Sequence, residues 1–288
     1  MNSMGAAKPT INYSLLFRPM LPDAVRVAEM LPADADPGLL LPDEARSVER
    51  AVEKRRREFA AGRLLARELF AQMTSNEAVR SSSLLNDANR VPVWPAGIVG
   101  SITHCRSLCA VATTHAAHSA GIGLDVEPAE PMNEELERYV MRDAEYARLD
   151  VLPHEVRTLG SLLVFSIKEA VYKAIYPIRR RFLEFHEVEI MALGIAPEID
   201  VGYRVSGIAS GIAADAQSFC GDFEAQVLVA EAAIPGIARI TGRYRIADGH
   251  IAAAVVLPPA DAQYSDTPHA AVERVFEQGA SAGFRSER

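Results

Sequence analysis

The chain has 288 residues, 49% hydrophobic and 24% charged, enough for a sizeable core in one large or two moderate domains. Its net charge of −8 leaves no basic footprint for nucleic acid, and no apolar run approaches the ~20 residues of a membrane span. Cys105, Cys109 and Cys220 form no CxxC pair, which argues against a disulfide framework and a structural zinc site; with no leader-like start, the expected compartment is the cytoplasm.

Residues 1–12 read as a loose N-terminus. After a short apolar piece, Tyr13 to Phe17, the proline- and aspartate-rich stretch 19–42 reads as loop with short helical pieces. Phe59, Leu64, Leu65, Leu69 and Phe70 recur at helical spacing, predicting a helix over about 43–73. Next, VPVWPAGIVGSITHC (91–105) is punctuated into short extended pieces, and two strand candidates follow, 108–114 and 120–126. Helices are expected over 133–149 and 155–175. Beyond Pro177 the pattern turns to strands, in FLEFHEVEI, DFEAQVLVA, ITGRYRI and HIAAAVVLP. The glycine- and alanine-rich segment 194–220 has no clear period. A weakly ordered tail is expected from Pro259, with a short helix at 269–277. This order, helix then strands twice over, predicts an α+β fold of two lobes: 1–122, 123–258, and the tail 259–288.

Four local patterns can carry chemistry. In GLDVE (123–127), Asp125 and Glu127 share one face of a strand. A divalent cation would relieve their repulsion, although a solvated strand end would also carry two acids. In FSIKEAVYKA (165–174), Glu169 and Lys173 lie a turn apart, the spacing of an ordinary helix-surface ion pair. In GSITHC (100–105), backbone amides, Ser101 and His104 could receive a phosphate, and a structural histidine is the plainer reading. In KRRREFAAGRLLAR (54–67), Arg55, Arg63 and Arg67 cluster on one side of the helical wheel, and arginine forks match phosphate oxygens. A second cationic run, Arg179 to Arg181, could serve an acidic partner or simply be solvated.

In order and spacing, KRRREFAAGR, VPVWPAGIVGSITHC, GIGLDVE, FSIKEAVYKAIYP and LEFHEVEI together resemble the 4′-phosphopantetheinyl transferase superfamily, particularly its enterobactin-synthase-component-D-like branch. The resemblance runs from about Lys54 to Leu257. It implies two similar α/β lobes related by a pseudo-twofold axis, with coenzyme A in the cleft between them. It implies Asp125, Glu127 and Glu169 around Mg²⁺, Lys173 on the pyrophosphate, and Arg55, Arg63, Ser101 and His104 around the phosphates and adenosine of coenzyme A. Glu169 would serve as general base, with Glu127 as the alternative. The implied partner is an apo acyl or peptidyl carrier protein of a siderophore, lipid or other secondary-metabolite pathway, met by a monomeric enzyme. Two other functions remain open on the residues alone: a non-catalytic coenzyme A-binding regulatory module, and a Mg²⁺-dependent phosphoanhydride hydrolase.

Overall fold

A computed structural model describes residues 10–12, 16–150, 152–197 and 218–259. The expected tail beyond Pro259, its short helix, most of the segment 194–220 and most of the N-terminal stretch 1–12 lie outside the described residues.

In the first half, β1 (Arg26–Met30) is followed by α1 (Pro42–Ser47), α2 (Glu53–Met73), α3 (Glu77–Arg80), β2 (Ile98–His104) and β3 (Cys109–His115). The strands pair antiparallel in the order β1-β3-β2. The apolar stripe of α2, with Ala61, Leu65, Leu69 and Phe70, packs on Ala28, Met30, Cys109 and Val111 from one face of this sheet. β1 is absent from the expected elements because five residues in a proline-rich stretch carry too little alternation to register. The helix expected over 43–73 is broken at 48–52, where Arg56 donates to the carbonyls of Val48 and Glu49 and takes up the end of α1.

The second half runs β4 (Gly121–Pro128), α4 (Glu134–Val140), α5 (Asp143–Leu149), α6 (His154–Arg157), α7 (Gly160–Arg179), β5 (Val188–Leu193), β6 (Ala196–Pro197), β7 (Phe219–Val227), β8 (Ile240–Ala247) and β9 (His250–Leu257). Its antiparallel sheet has the order β4-β9-β8-β7-β5, with β6 also on β7. The helix expected over 133–149 is two helices, because Glu145 turns back to accept from the amide of Arg142 and starts α5 afresh. FLEFHEVEI becomes strand only from Val188. Before it, Phe185–Glu187 is a tight 3-10 turn closed by the Glu187 carboxylate, which accepts from Glu184 N and from Arg181.

α7 covers one face of this sheet, where Ile167, Val171 and Ile175 join Tyr244, Ala253 and Val255 in one core. The opposite face, with Ile122, Leu124, Val126, Ala252 and Ala254, shares a second core with Val27, Ala110 and Ala112 of the first sheet. The layers are therefore α2, sheet, sheet, α7. β2 and β4, each the edge strand of its sheet, are joined by side chains rather than by a ladder. The amide of Leu124 donates to Ser101 Oγ at 3.0 Å, and that of Val126 to Thr103 Oγ1 at 3.1 Å.

One acid sits on the inter-sheet side of β1. Glu29, 2% exposed, accepts from the amides of Leu16 and Phe17. Burial raises its pKa to about 7, against the pull of those two amides and of Arg245 and His250. Between about pH 4.5 and 7 the unfolded chain has lost this proton and the folded chain keeps it. Stability therefore falls as pH rises through that window, by about 3 kcal/mol in total for this group, and levels off above it. Denaturant unfolding across pH 4.5–8 should show a shallower fall in Glu29→Gln than in the parent; equal slopes would show that Glu29 does not carry it.

Candidate active site

Gly121, Gly123, Asp125 and Glu127 alternate onto the face of β4 that meets α7. The two glycines set the distance between the elements. A Cβ on Gly123 would stand 1.8 Å from the carbonyl oxygen of Ala170, and one on Gly121 would stand 2.5 Å from that of Ala174. With no side chains there, the small-residue face of α7 rests on the strand backbone. Glu169 and Lys173, on either side of Ala170 in the helix, are thereby brought to the acids at the far end of the same strand. Lys173 Nζ donates to Asp125 Oδ1 at 2.6 Å and reaches Thr103 Oγ1 at 3.5 Å. The hydrogen-bonded partner of Lys173 is thus Asp125 on the strand, with Glu169 of its own helix adding its charge.

The local field is strongly acidic. Burial, then the charge of Asp125 and that of Glu169, push the Glu127 carboxyl up to about 7, with Lys173 opposing. Burial likewise raises Glu169, with Lys173 pulling it down and Asp125 pushing it up. Burial alone would lower Lys173, but Asp125, Glu169 and Glu127 outweigh it and hold the ammonium protonated. Asp125 Oδ2 is buried with no hydrogen-bond partner among the described residues. An open carboxylate oxygen beside two acids driven towards their protonated forms is a donor set that suits a hard, oxygen-seeking cation such as Mg²⁺. Among the described residues, no three His, Cys, Asp or Glu side chains already converge as a metal-holding group.

On the α2 side, Arg55 Nη1 lies 2.8 Å from His104 Nε2. A guanidinium can only donate, so Nε2 accepts and the ring proton resides on Nδ1, 3.9 Å from Glu58. Burial lowers the His104 pKa, with Arg55 and Lys173 adding to the effect and Glu58 and Asp125 opposing it, so the ring is neutral near pH 7. Arg55 and His104 thus join the acidic set through the field that both sides share.

Arg63 and Ser101 are turned elsewhere. The buried Arg63 guanidinium donates to Leu84 O at 3.0 Å and Asn86 Oδ1 at 2.6 Å. Arg67 serves Glu44 and Leu39 O, and Arg57 the carbonyls of Ala33 and Ala35. Most arginines of α2 are staples for the loops around it, while Arg55 faces His104. Ser101 is 6% exposed and holds the seam to β4. The run at Arg179 to Arg181 is also dispersed: Arg179 bonds Glu231 O, Arg180 Asp87, and Arg181 Glu187.

Three contributors escape a reading of local patterns. Glu58 is legible only as the i+3 neighbour of Arg55, and Thr103 only as the i+2 neighbour of Ser101. Lys168, beside Glu169, is buried in the other direction, where Nζ donates to Val140 O at 2.9 Å and Glu145 Oε2 at 2.8 Å. Glu145 also accepts from Ile190 N, so this pair ties α5 and β5 to α7.

Comparison with known proteins gives two family matches in tandem. The 4′-phosphopantetheinyl transferase N-terminal domain matches residues 43–114, and the 4′-phosphopantetheinyl transferase superfamily matches residues 121–200. The chain is 31% identical over 239 residues to 4′-phosphopantetheinyl transferase Npt of Nocardia iowensis, covering 82% of this chain and 97% of that protein. It is 36% identical over 170 residues to 4′-phosphopantetheinyl transferase Svp of Streptomyces mobaraensis, covering 55% of this chain but only 63% of that relative. To 4′-phosphopantetheinyl transferase PptT of Mycobacterium tuberculosis it is 28% identical over 229 residues, or 77% of this chain and 88% of the other.

Proposed function

Since the chain belongs to the 4′-phosphopantetheinyl transferase superfamily, we infer that it moves 4′-phosphopantetheine from coenzyme A to a serine of an apo carrier protein, releasing 3′,5′-adenosine bisphosphate. The observation that carries this reading is the bond between Lys173 and Asp125, with Glu127 and Glu169 in the same field. It sets a held cation beside two acids whose proton affinity is raised, Glu127 to about 7, which is what breaking a phosphoanhydride while deprotonating an alcohol requires. In this reading the site lies where a first lobe, 1–122, meets a second lobe, 123–258, and the enzyme acts as a monomer.

Asp125, Glu127 and Glu169 would hold Mg²⁺, and Asp125 Oδ2 supports that fit as an open buried oxygen. When bound, the ion supplies charge neutralisation for the phosphates. Lys173 donates to the diphosphate of coenzyme A as negative charge develops on the departing side. Arg55 and His104 bind its anionic groups, Arg55 through the donors not spent on His104. Ser101 and Arg63 act behind them: Ser101 fixes β2 to β4, and Arg63 fixes the loop at Leu84–Asn86 against α2. Glu169 takes the proton of the carrier serine, with Glu127 as the alternative base.

The test is intact-mass analysis of apo acyl, peptidyl and aryl carrier proteins incubated with the enzyme, coenzyme A and Mg²⁺. Gain of one phosphopantetheine on a carrier, lost on chelation, is the expected result, and the carrier that reacts identifies a siderophore, lipid or other secondary-metabolite pathway. Release of phosphopantetheine without any carrier would make the protein a hydrolase. Coenzyme A bound with no turnover on any carrier would make it a regulatory binder.

A further inference from the structure

The turn that leaves β2 for β3 meets the turn between β8 and β9, and three polar side chains converge there. Cys105 Sγ lies 3.5 Å from Ser107 Oγ, and Ser107 Oγ lies 2.7 Å from His250 Nε2. His250 Nδ1 lies 2.8 Å from the carbonyl oxygen of Asp248. A carbonyl can only accept, so Nδ1 carries the ring proton and Nε2 of the neutral ring must accept. The Ser107 hydroxyl therefore donates to Nε2, which leaves its oxygen lone pairs to receive the thiol proton of Cys105. The three groups form a directional wire, S–H to O–H to N, down which one proton shift yields thiolate and imidazolium. The neighbouring guanidinium of Arg106 is engaged with Glu130.

We propose that Cys105, Ser107 and His250 form an oxidation-sensitive thiol site whose substrate class is the hydroperoxides, independent of the transfer site. The Cys105 thiolate attacks one peroxide oxygen, an S–O bond forms and the O–O bond breaks. Sulfur is oxidised to sulfenic acid and the peroxide is reduced. The departing hydroxide, or alkoxide from an organic hydroperoxide, takes the proton stored on His250, handed back through Ser107, and leaves as water or an alcohol. Cys105 is 8% exposed, which restricts it to a small oxidant. Burial raises its pKa, but bonding from His250 and Ser107 outweighs that and leaves the thiol below its ordinary range. Cys109, four residues on, is the internal contrast: it is fully buried and its thiol is pushed up to about 12, chiefly by burial. Cys220, on β7, is more accessible than either.

The test exposes the full chain to hydrogen peroxide for graded times, then denatures it and alkylates the surviving thiols. Tryptic cleavage after Arg106 separates Cys105 from Cys109, so each thiol is followed by peptide mass. Cys105 should be lost on the order of 10-fold faster than Cys109 or Cys220. In both Ser107→Ala and His250→Gln the Cys105 rate should fall roughly 10-fold, with the Cys220 rate and carrier modification unchanged. Using two variants guards against a folding defect in either one. Cys220 reacting as fast as Cys105, or a Cys105 rate unmoved in both variants, overturns the proposal.

Discussion

Glu169→Gln is expected to slow transfer to the carrier by about 10²–10⁴-fold, the range for loss of a positioned base, while coenzyme A still binds. Glu169 is half-buried, with Lys173 one turn away and Asp125 in its field, and burial raises its pKa above the usual carboxylate value, which makes it a stronger proton acceptor. Glutamine keeps the size and one carbonyl oxygen and cannot take the proton. The measurement is kcat on the reacting carrier beside calorimetric titration with coenzyme A. Glu127→Gln is the necessary companion, because burial and neighbouring charge raise the Glu127 carboxyl as well, to about 7. Full turnover in Glu169→Gln, with the loss appearing in Glu127→Gln, would transfer the base role to Glu127.

Gly123→Ala should damage the protein more than any other one-methyl change on β4. The added Cβ would stand 1.8 Å from a backbone oxygen of α7, not from the end of a flexible side chain. Either the helix lifts or the strand bends, and each outcome breaks packing in the core that α7 shares with β9. A cost of about 3 kcal/mol or more follows, read as a fall in Tm of roughly 6–12 °C for a chain of this size. Activity should fall further than stability explains, because lifting α7 draws Lys173 away from Asp125. An alanine variant with parental Tm and turnover would show that α7 does not bear on β4 at this residue.

Legibility tracked distance along the chain. GLDVE and KEAVYK show their acids and lysine at strand and helix spacing, because those periods are local. What brings them together is equally short-range, the pair of glycines at 121 and 123, but its meaning depends on a helix some 40 residues on. Arg63 is the opposite case. A helical wheel gives the direction of its side chain relative to α2, not that the carbonyl of Leu84 waits there. Ser101 looks like a phosphate ligand beside glycine, and only pairing across 23 residues shows its oxygen bound to an amide of β4. Lys168 and Glu29 defeat composition rules outright, since a lysine and a glutamate with almost no exposure are legible only once their partners at Glu145, Leu16 and Phe17 are in place. The splits at 48–52 and 141–142 have the same origin, because a side chain returning to cap its own backbone leaves no periodic trace.

The hydroxyl seam between β2 and β4 has a consequence for how the molecule can fail. Both strands are sheet edges, and in the assembled protein each edge is shielded by the other. If the halves part, two rows of backbone donors and acceptors are uncovered together, each a template for pairing with a foreign chain. Self-association during heating or synthesis should therefore begin at residues 98–104 and 121–128, and dismantling the seam would shift the protein's fate from reversible opening towards aggregation.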